Sequence, residues 1–297
     1  MQNHNNPPHH SNIFAGIAEE IATSVFQAQG PGSQQQDNLA IFTMNEAMTE
    51  ERLRALFMKM AEATKDFSPG MGGSTVNLVS ISNGKIMAAN LGDSLTTLFT
   101  RLAYGDDIEA RALSTLHTTL NKDEKERVTP FIDPFNLFVE NNRIVKVDGD
   151  RSRSLAMTRA LGNAEFAPMV SQEPSIHTYE LDAAAYDYAQ IALYTDGMTD
   201  TIDNIYFDLA ANPEYLALAI QKQMEKSENN ITEAAHLIGH YAVKSQLRDN
   251  ATALSVDLKA LPPDQHILLV VLDGHGPKGR EITEAAIAAL HNTPELQ

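Results

Sequence analysis

The sequence predicts a mixed α/β fold, because extended strand patterns alternate with amphipathic helix patterns along its 297 residues. The clearest strand is the apolar, β-branched run at residues 267–272, which is followed closely by two glycines. Asn83 and Gly84 separate two further strand patterns and are typical of a β-hairpin turn. The clearest helix, residues 49–67, carries apolar residues at the i, i+3, i+4, i+7 spacing.

The first half of the chain shows six elements in order. A short helix is predicted at 13–26, although a strand already begins by Thr23 in the alternative interpretation. After a glycine-rich break come a strand, a helix ended by Pro69 and Gly70, and two strands joined as a hairpin, at residues 37–42, 49–67, 75–81 and 85–91. Within residues 104–153, which are mixed and charged, a helix is predicted near 122–128. We expect this excursion to form a flap over the functional site.

The second half continues the alternation. Residues 154–162 have helix-like periodicity, and a strand is predicted at 189–194. Helices are predicted at 213–224 and 231–243, strands at 251–258 and 267–272, and a helix-like tail after the last strand. No linker or repeat divides the chain, so residues 13–297 are predicted to form one domain.

Composition narrows the class of protein. The chain has 22 Lys and Arg against 39 Asp and Glu, a net charge of −17 that disfavours a nucleic-acid partner. Carboxylates suit hard divalent cations, although most of the acidic excess is expected on the solvated surface. Because the chain has no cysteine, disulfides, thiolate metal sites and cysteine nucleophiles are excluded.

The ends of the chain and its hydropathy bear on location. Residues 1–12 are rich in Asn, His and Pro and are predicted to be a disordered polar tail, without the regions of a signal peptide. No apolar run approaches the roughly 20 residues that span a bilayer. We therefore expect a soluble protein without a membrane partner, either cytoplasmic or secreted into a host cell.

Carboxylates recur at the ends of predicted strands, each with Gly or Asn beside it. The five residues are Asp37, Asp93, Asp196, Asp249 and Asp273. For any one of them, and for the Asp-Gly-His-Gly turn at 273–276 alone, an ordinary strand-end turn is the simpler interpretation. A buried cluster of carboxylates, however, repels itself unless cations are present, so the set predicts a two-metal site.

Five short motifs resemble those of the metal-dependent protein phosphatases of type 2C, in the family order. They are Gly-Ser-Thr-Val at 73–76, Ala-Asn-Leu-Gly-Asp-Ser at 89–94, Leu-Ala-Met-Thr-Arg-Ala-Leu-Gly at 155–162, Thr-Asp-Gly-Met-Thr-Asp at 195–200 and Asp-Asn-Ala-Thr at 249–252. The resemblance implies a four-layer α-β-β-α sandwich of two antiparallel sheets. It also implies hydrolysis of phosphoserine or phosphothreonine in a protein substrate.

The resemblance assigns roles to the aspartates. Asp273 would bridge two Mg²⁺ or Mn²⁺ ions, Gly274 would offer its carbonyl oxygen, and Asp196 and Asp249 would complete one shell. Asp37 would act directly or through water, and Asp93 with Asp196 would hold a third, weaker ion. A bridging hydroxide would attack the phosphate, with His275 as the general acid for the leaving alkoxide.

One departure from the family concerns chain order. The Asp-Gly-His-Gly strand and its helix normally lie between the Asp37 segment and the Gly-Ser-Thr strand, but here they stand at the C-terminus. The strand order is therefore predicted to be permuted. Either the tail folds back into its own sheet, or it fills the gap in a second copy, which predicts self-association by C-terminal swapping.

A second departure concerns phosphate binding. Gly32 stands where the family has an arginine, and Gln36 stands at a position for an acidic ligand. Candidate replacement cations are Lys278, Arg280, Arg151 and Arg153, each of which has a purely solvent-exposed role as its alternative. Two other functions follow: an inactive or weak pseudophosphatase that binds a protein partner, and an acidic calcium-binding protein, for which no loop of the required spacing is visible.

Overall fold

The computed structural model describes residues 23–30, 35–105, 107–132, 136–199, 234–244 and 249–296. The strands in these ranges are β1 (Thr23–Ala28), β2 (Asn38–Met44), β3 (Gly73–Ser74), β4 (Val76–Ser82), β5 (Lys85–Leu91), β6 (Leu95–Leu102), β7 (Glu109–Ala112), β8 (Leu137–Glu140), β9 (Arg143–Asp148), β10 (Arg151–Leu155), β11 (Leu161–Gly162), β12 (Ser175–Glu180), β13 (Tyr186–Tyr194), β14 (Ala251–Asp257), β15 (His266–Leu272) and β16 (Gly274–His275). The helices are α1 (Glu50–Thr64), α2 (Lys122–Val128), α3 (Asp196–Thr199), α4 (Ala234–Lys244) and α5 (Gly279–His291).

Two five-stranded antiparallel sheets form the centre of the molecule. One has the order β12-β5-β4-β15-β2, and the other has the order β1-β14-β13-β6-β7. The apolar side chains of β15 alternate between two hydrophobic clusters, as the period of two in a strand requires. Ile267, Leu269 and Val271 join the cluster between the sheets, while Leu268, Val270 and Leu272 face the outer side.

Helices cover the outer face of each sheet. Thr49 caps α1 by accepting the N–H of Arg52 at 3.2 Å, and α1 packs with α5 over β15 through Leu53, Met60 and Leu290. Helix α4 packs on the other sheet, where its Leu237 and Ile238 join the cluster that contains Tyr194. The first sheet therefore carries two helices and the second carries α4 within the described residues.

The predicted excursion forms a small unit of its own. Strands β8, β9 and β10 make a separate three-stranded sheet, and α2 packs beside it through Val128 in a cluster with Leu137 and Ile144. The predicted helix at 122–128 is confirmed. The helix-like interpretation of residues 154–162 is wrong, because β10 runs to Leu155 and the chain stays extended through bridges from Met157 to Thr118 and from Arg159 to Ser171. Backbone pairing with these distant segments outweighed the local periodicity.

The other described elements match their predictions in type. The strand alternative at Thr23, the hairpin at Asn83 and Gly84, and the C-terminal strand and helix are all present. Asn83 and Gly84 both have positive φ, at 51° and 74°, as the hairpin turn requires. The predicted helix at 213–224, the polar tail and residues 13–22 lie outside the described residues. Among the described helices, none combines the length and the apolar character needed to cross a bilayer.

Candidate metal centre

All five aspartates lie at one end of the paired sheets. Asp37 precedes β2 and Asp273 follows β15, and the pairing of Leu272 with Asn38 brings these two turns side by side. Asp93 follows β5, while Asp196 follows β13 and Asp249 precedes β14, where Tyr194 pairs with Ala253. The predicted convergence at strand ends is therefore a property of the fold.

The carboxyl group of Asp273 has a strongly perturbed pKa. Burial raises the pKa of its carboxyl group well above the usual value, and the negative charges of Asp196, Asp37 and Asp93 raise that pKa further. These three carboxyl groups therefore lie close enough to Asp273 to repel its negative charge. A positive charge among them would reverse that effect.

The carboxyl group of Asp37 lies next to Asp273 and is held by hydrogen bonds. Burial raises the pKa of Asp37 to about 6, against hydrogen bonds with Thr252, Asp273 and Thr195 that lower it, and the charge of Asp249 adds to the rise. Thr195 Oγ1 donates to Asp37 Oδ2 at 3.1 Å and accepts the N–H of Thr252 at 3.0 Å. Asp37 Oδ1 is buried and has no hydrogen-bond partner within the described part of the chain.

Two glycines let the backbone approach closely around these carboxylates. A Cβ on Gly274 would lie 2.6 Å from the Gly279 carbonyl oxygen and 2.7 Å from that of Gln36. A Cβ on Gly197 would lie 1.9 Å from the Asn250 carbonyl oxygen. Any larger residue would force these turns apart.

His275 stands at the edge of the cluster on β16. Its Nε2 lies 2.8 Å from Asn163 Oδ1, and its Nδ1 is buried without a hydrogen-bond partner in the described ranges. Burial lowers the pKa of His275 to about 4, and the charge of Arg143 acts in the same direction. The imidazole in this arrangement is therefore neutral at pH 7, with the Nε2 proton directed at Asn163.

The chemical type of these residues suits a hard divalent cation. Carboxylates and a backbone carbonyl are the oxygen donors that Mg²⁺ and Mn²⁺ prefer. Such an ion would offset the desolvation of Asp37 Oδ1, and it would offset the repulsion between the Asp273 carboxyl group and its acidic neighbours. In the described portion, no three His, Asp or Glu side chains converge tightly enough to make a finished ligand set.

Comparison with known proteins identifies the family to which the chain belongs. The sequence model of the family described as protein phosphatase 2C matches residues 2–251, which is more than half of the chain. The chain belongs to the protein phosphatase 2C family. The match ends before β15, so the Asp273 turn lies outside it.

Individual relatives agree with this assignment. Two Arabidopsis thaliana proteins, each described as a probable protein phosphatase 2C, are 25% and 26% identical over 163 and 202 residues. These matches cover 54% and 64% of this chain but 38% and 44% of the relatives, so the chain spans less than half the length of the curated relatives it matches.

Solved structures share the fold. A phosphatase from a pathogenic strain of Toxoplasma gondii superposes with a TM-score of 0.53 at 15% identity, covering 84% of this chain and 96% of that one. A serine/threonine phosphatase from Staphylococcus aureus gives a TM-score of 0.50 at 14% identity, with coverages of 80% and 95%. A mixed α/β protein with two antiparallel sheets is consistent with both.

The predicted phosphate-binding cations of this protein phosphatase 2C chain lie in ion pairs or on the surface. Lys278 pairs with Glu281 at 2.6 Å, and Arg280 pairs with Glu284 at 2.8 Å. Arg153 lies 4.0 Å from Glu165, and Arg151 is exposed on β10. Gly32 lies outside the described residues, whereas Gln36 donates from Nε2 to the Gly276 carbonyl at 3.0 Å.

Several residues of the site were not predicted. Thr75, Thr195 and Asn163 bind the backbone or side chains of the acidic turns, and His117 holds Gly92 beside Asp93. Thr75 and Thr195 lie within two of the motifs, so their positions were visible in the sequence, but their hydrogen bonds were not. Asn163 has φ of 52°, a left-handed conformation for which Asn is one of the favoured residues.

Proposed function

We propose that this chain is a metal-dependent phosphoserine and phosphothreonine protein phosphatase. The observation that carries the proposal is Asp273, whose carboxyl pKa is raised by burial and by the charges of Asp196, Asp37 and Asp93 at one end of the sheets. Membership of the protein phosphatase 2C family supports the reaction class. The substrates would be phosphorylated proteins.

The carboxylates would hold two Mg²⁺ or Mn²⁺ ions. Asp273 would bridge them, Gly274 would contribute its carbonyl, Asp196 and Asp249 would complete one shell, and Asp37 would act directly or through water. Asp93 and Asp196 would hold a third, weaker ion. When bound, such ions supply Lewis acidity and lower the pKa of water.

His275 would deliver the proton to the leaving alkoxide. Its Nε2 faces Asn163 Oδ1 at 2.8 Å, which fixes the ring and keeps a hydrogen on Nε2. Burial lowers the pKa of His275 to about 4, so its protonated form requires an anionic phosphate nearby. The proton transfer would therefore take place in the complex with substrate.

Phosphate binding would involve the cations at the start of α5. Lys278 and Arg280 are half-exposed, with side-chain exposures of 47% and 45%, and their partners Glu281 and Glu284 lie on the same helix. Exposed pairs of this kind are weak, so a phosphate dianion can compete for either cation. The excursion around β8 to β10 would act as the flap beside them.

The strand order would be a permuted form of the family order. β15 lies between β2 and β4 in its own sheet, with Leu269 paired to both Ile41 and Val79. This supports a four-layer α-β-β-α sandwich in residues 13–297, in which a C-terminal strand occupies the place that an internal strand fills elsewhere in the family. Insertion of β15 within its own chain, rather than swapping into a second copy, is the proposed arrangement, and a monomer at all concentrations in a sizing experiment is the expected result.

The test is manganese-dependent hydrolysis of p-nitrophenyl phosphate and of a phosphothreonine peptide. We expect chelation to abolish turnover, and Asp273→Asn or Asp249→Asn to reduce it to background. Asp264→Asn, at an exposed site in the connection between β14 and β15, is the matched control and should retain full activity. Full activity in either Asp273→Asn or Asp249→Asn would refute the mechanism.

The second candidate is a pseudophosphatase that keeps the fold and the metal but binds a partner. Gly32, in place of the family's arginine, favours it. Calorimetric titration with Mn²⁺ beside the peptide assay separates the two: tight binding without turnover indicates the binding module. In an active enzyme, Gly32→Arg should lower KM by roughly 10-fold or more, since a hydrogen bond to a charged group contributes about 1.5–3 kcal/mol.

A further inference from the structure

Thr75 connects the turns that carry Asp273 and Asp93. Its backbone N–H donates to the Asp273 carbonyl at 2.9 Å, and its Oγ1 accepts the Asp273 N–H at 3.2 Å. The same Oγ1 lies 2.6 Å from the hydroxyl of Ser94, the residue after Asp93. Thr75 and Ser94 are both fully buried, so water does not substitute for these contacts.

The contact with Asp273 fixes one role of the Thr75 hydroxyl group. A hydroxyl group offers one donor and two acceptor sites. Because the Asp273 N–H is a donor, Thr75 Oγ1 must accept there, and it retains its proton and its other lone pair for the Ser94 hydroxyl. Valine has the same shape but neither site, so it would leave a buried N–H and a buried hydroxyl without this partner.

The methyl group of Thr75 fixes the other side of the Asp93 turn. Gly92 has φ of +98°, and a Cβ on it would lie 2.7 Å from Thr75 Cγ2. His117 holds the opposite side of Gly92. Its ring Nδ1 accepts the backbone N–H of Gly92 at 3.1 Å, and its backbone N–H donates to the Gly92 carbonyl at 3.0 Å. The turn is therefore clamped between Thr75 and His117.

We propose that Thr75 is a positioning residue that sets the separation of Asp273 and Asp93 and thereby the affinity of the site for divalent cations. This inference rests on the proposed metal site. Carboxylates that repel one another move apart unless their backbones are held, and Thr75 bonds the backbone of one turn and the neighbouring side chain of the other. Partners of this kind, which hold a ligand without touching the ion, typically change metal affinity 10- to 100-fold.

The experiment measures Mn²⁺ binding to metal-free protein by calorimetry, without an activity readout. Thr75→Val is expected to weaken Mn²⁺ binding by about 10-fold or more, and Thr75→Ser, which keeps the hydroxyl but loses the methyl group beside Gly92, to weaken it by a smaller factor than Thr75→Val. Thr64→Val is the matched control: Thr64 is also buried, but its hydroxyl donates to the carbonyls of Met60 and Ala61 in its own helix, so Mn²⁺ affinity should not change.

Ser94→Ala provides a second test of the inference if Thr75→Val does not fold. It removes one of the two links and should weaken Mn²⁺ binding by a smaller factor than Thr75→Val, and the double variant should be no weaker than Thr75→Val alone. Unchanged affinity in Thr75→Val, or in Ser94→Ala where the former is unfolded, overturns the inference while leaving the proposed function intact. A full-length protein that binds no Mn²⁺ overturns the proposed metal site and this inference with it.

Discussion

His275 Nε2 lies 2.8 Å from Asn163 Oδ1, and this hydrogen bond joins the C-terminal turn to a residue 112 positions earlier in the chain. Asn163 is buried and adopts a left-handed backbone conformation with φ of 52°. Its amide oxygen is packed so closely against Gly73 that a Cβ there would lie 2.0 Å away. The histidine is thus held by a rigid partner, and its proposed role in catalysis can be tested through that partner.

His275→Gln should reduce hydrolysis of a phosphothreonine peptide by about 100-fold or more, the range expected for loss of a general acid. Hydrolysis of p-nitrophenyl phosphate should fall much less, because nitrophenolate leaves without being protonated. Asn163→Gly, which suits the left-handed backbone, should produce a smaller loss with the same substrate dependence. Equal losses on both substrates would argue against proton donation by His275.

Glu124 should control stability through its buried ion pairs. It is 2% exposed and accepts hydrogen bonds from Arg127 at 2.9 Å and from Arg159 at 3.0 Å. Glu124→Gln should lower the free energy of unfolding by roughly 3 kcal/mol, because two cations lose their buried partner. Glu126→Gln on the same helix, whose exposed pair with Lys122 spans 3.8 Å, should change it by less than about 0.5 kcal/mol in urea denaturation.

The Glu124 contribution should also depend on pH. Burial opposes ionisation of this carboxyl group, but hydrogen bonds from Arg159, Arg127 and Thr158 outweigh it and lower the pKa from 4.5 to about 2. With a lowered folded-state pKa, the stabilisation is complete above about pH 4.5 and is lost as pH falls towards 2. The stability difference between the protein and Glu124→Gln should therefore shrink over this interval, and a difference that stays constant would contradict the assignment.

The C-terminal strand should be required for the whole sheet. Removing residues 259–297 deletes β15 from between β2 and β4, which leaves β2 without a neighbour and β4 paired only with β5. We expect loss of cooperative thermal unfolding and of Mn²⁺ binding, measured by circular dichroism and calorimetry. Cleaving the exposed connection at a protease site inserted near Asp264 is the control, since the strand then stays in place. A truncated chain that still folds and binds Mn²⁺ would count against the proposed strand order.

Substitution of Leu269 should be among the most destabilising changes in the core. Its side chain is fully buried between the two sheets. Leu269→Ala should lower the free energy of unfolding by about 2–5 kcal/mol through lost burial and a residual cavity. Val147→Ala, at a position that is 36% exposed, should change it by less than about 0.5 kcal/mol, and similar values for the two variants would show that β15 is not central.

Local sequence predicted most element types because their signals lie within a few residues. Thr49 before the apolar stripe of α1, Asn83 and Gly84 in the hairpin, and the alternation in β15 each describe a short-range preference. Residues 154–162 were predicted wrongly for the same reason, since their periodicity is local while their bridges to Thr118 and Ser171 are not.

The site was partly predictable because an aspartate at a strand end is a local feature. The sequence alone therefore indicates five candidates, which are Asp37, Asp93, Asp196, Asp249 and Asp273. Their proximity depends on sheet pairing, and the raised pKa of Asp273 depends on charges contributed by segments far apart in the chain.

The sequence by itself determined which residues carry the oxygen donors, that Asp-Gly-His-Gly stands after the last strand, and that the motifs are those of protein phosphatase 2C. The tertiary structure decided that β15 lies between β2 and β4. It also decided that Thr75 bonds to Asp273 and Ser94 in the two acidic turns, and that Glu124 lies between Arg127 and Arg159. The physical reason is sequence separation: the hydrogen bond from Asp273 to Thr75 spans 198 residues, and no local preference encodes a contact that only the packing of the sheets creates.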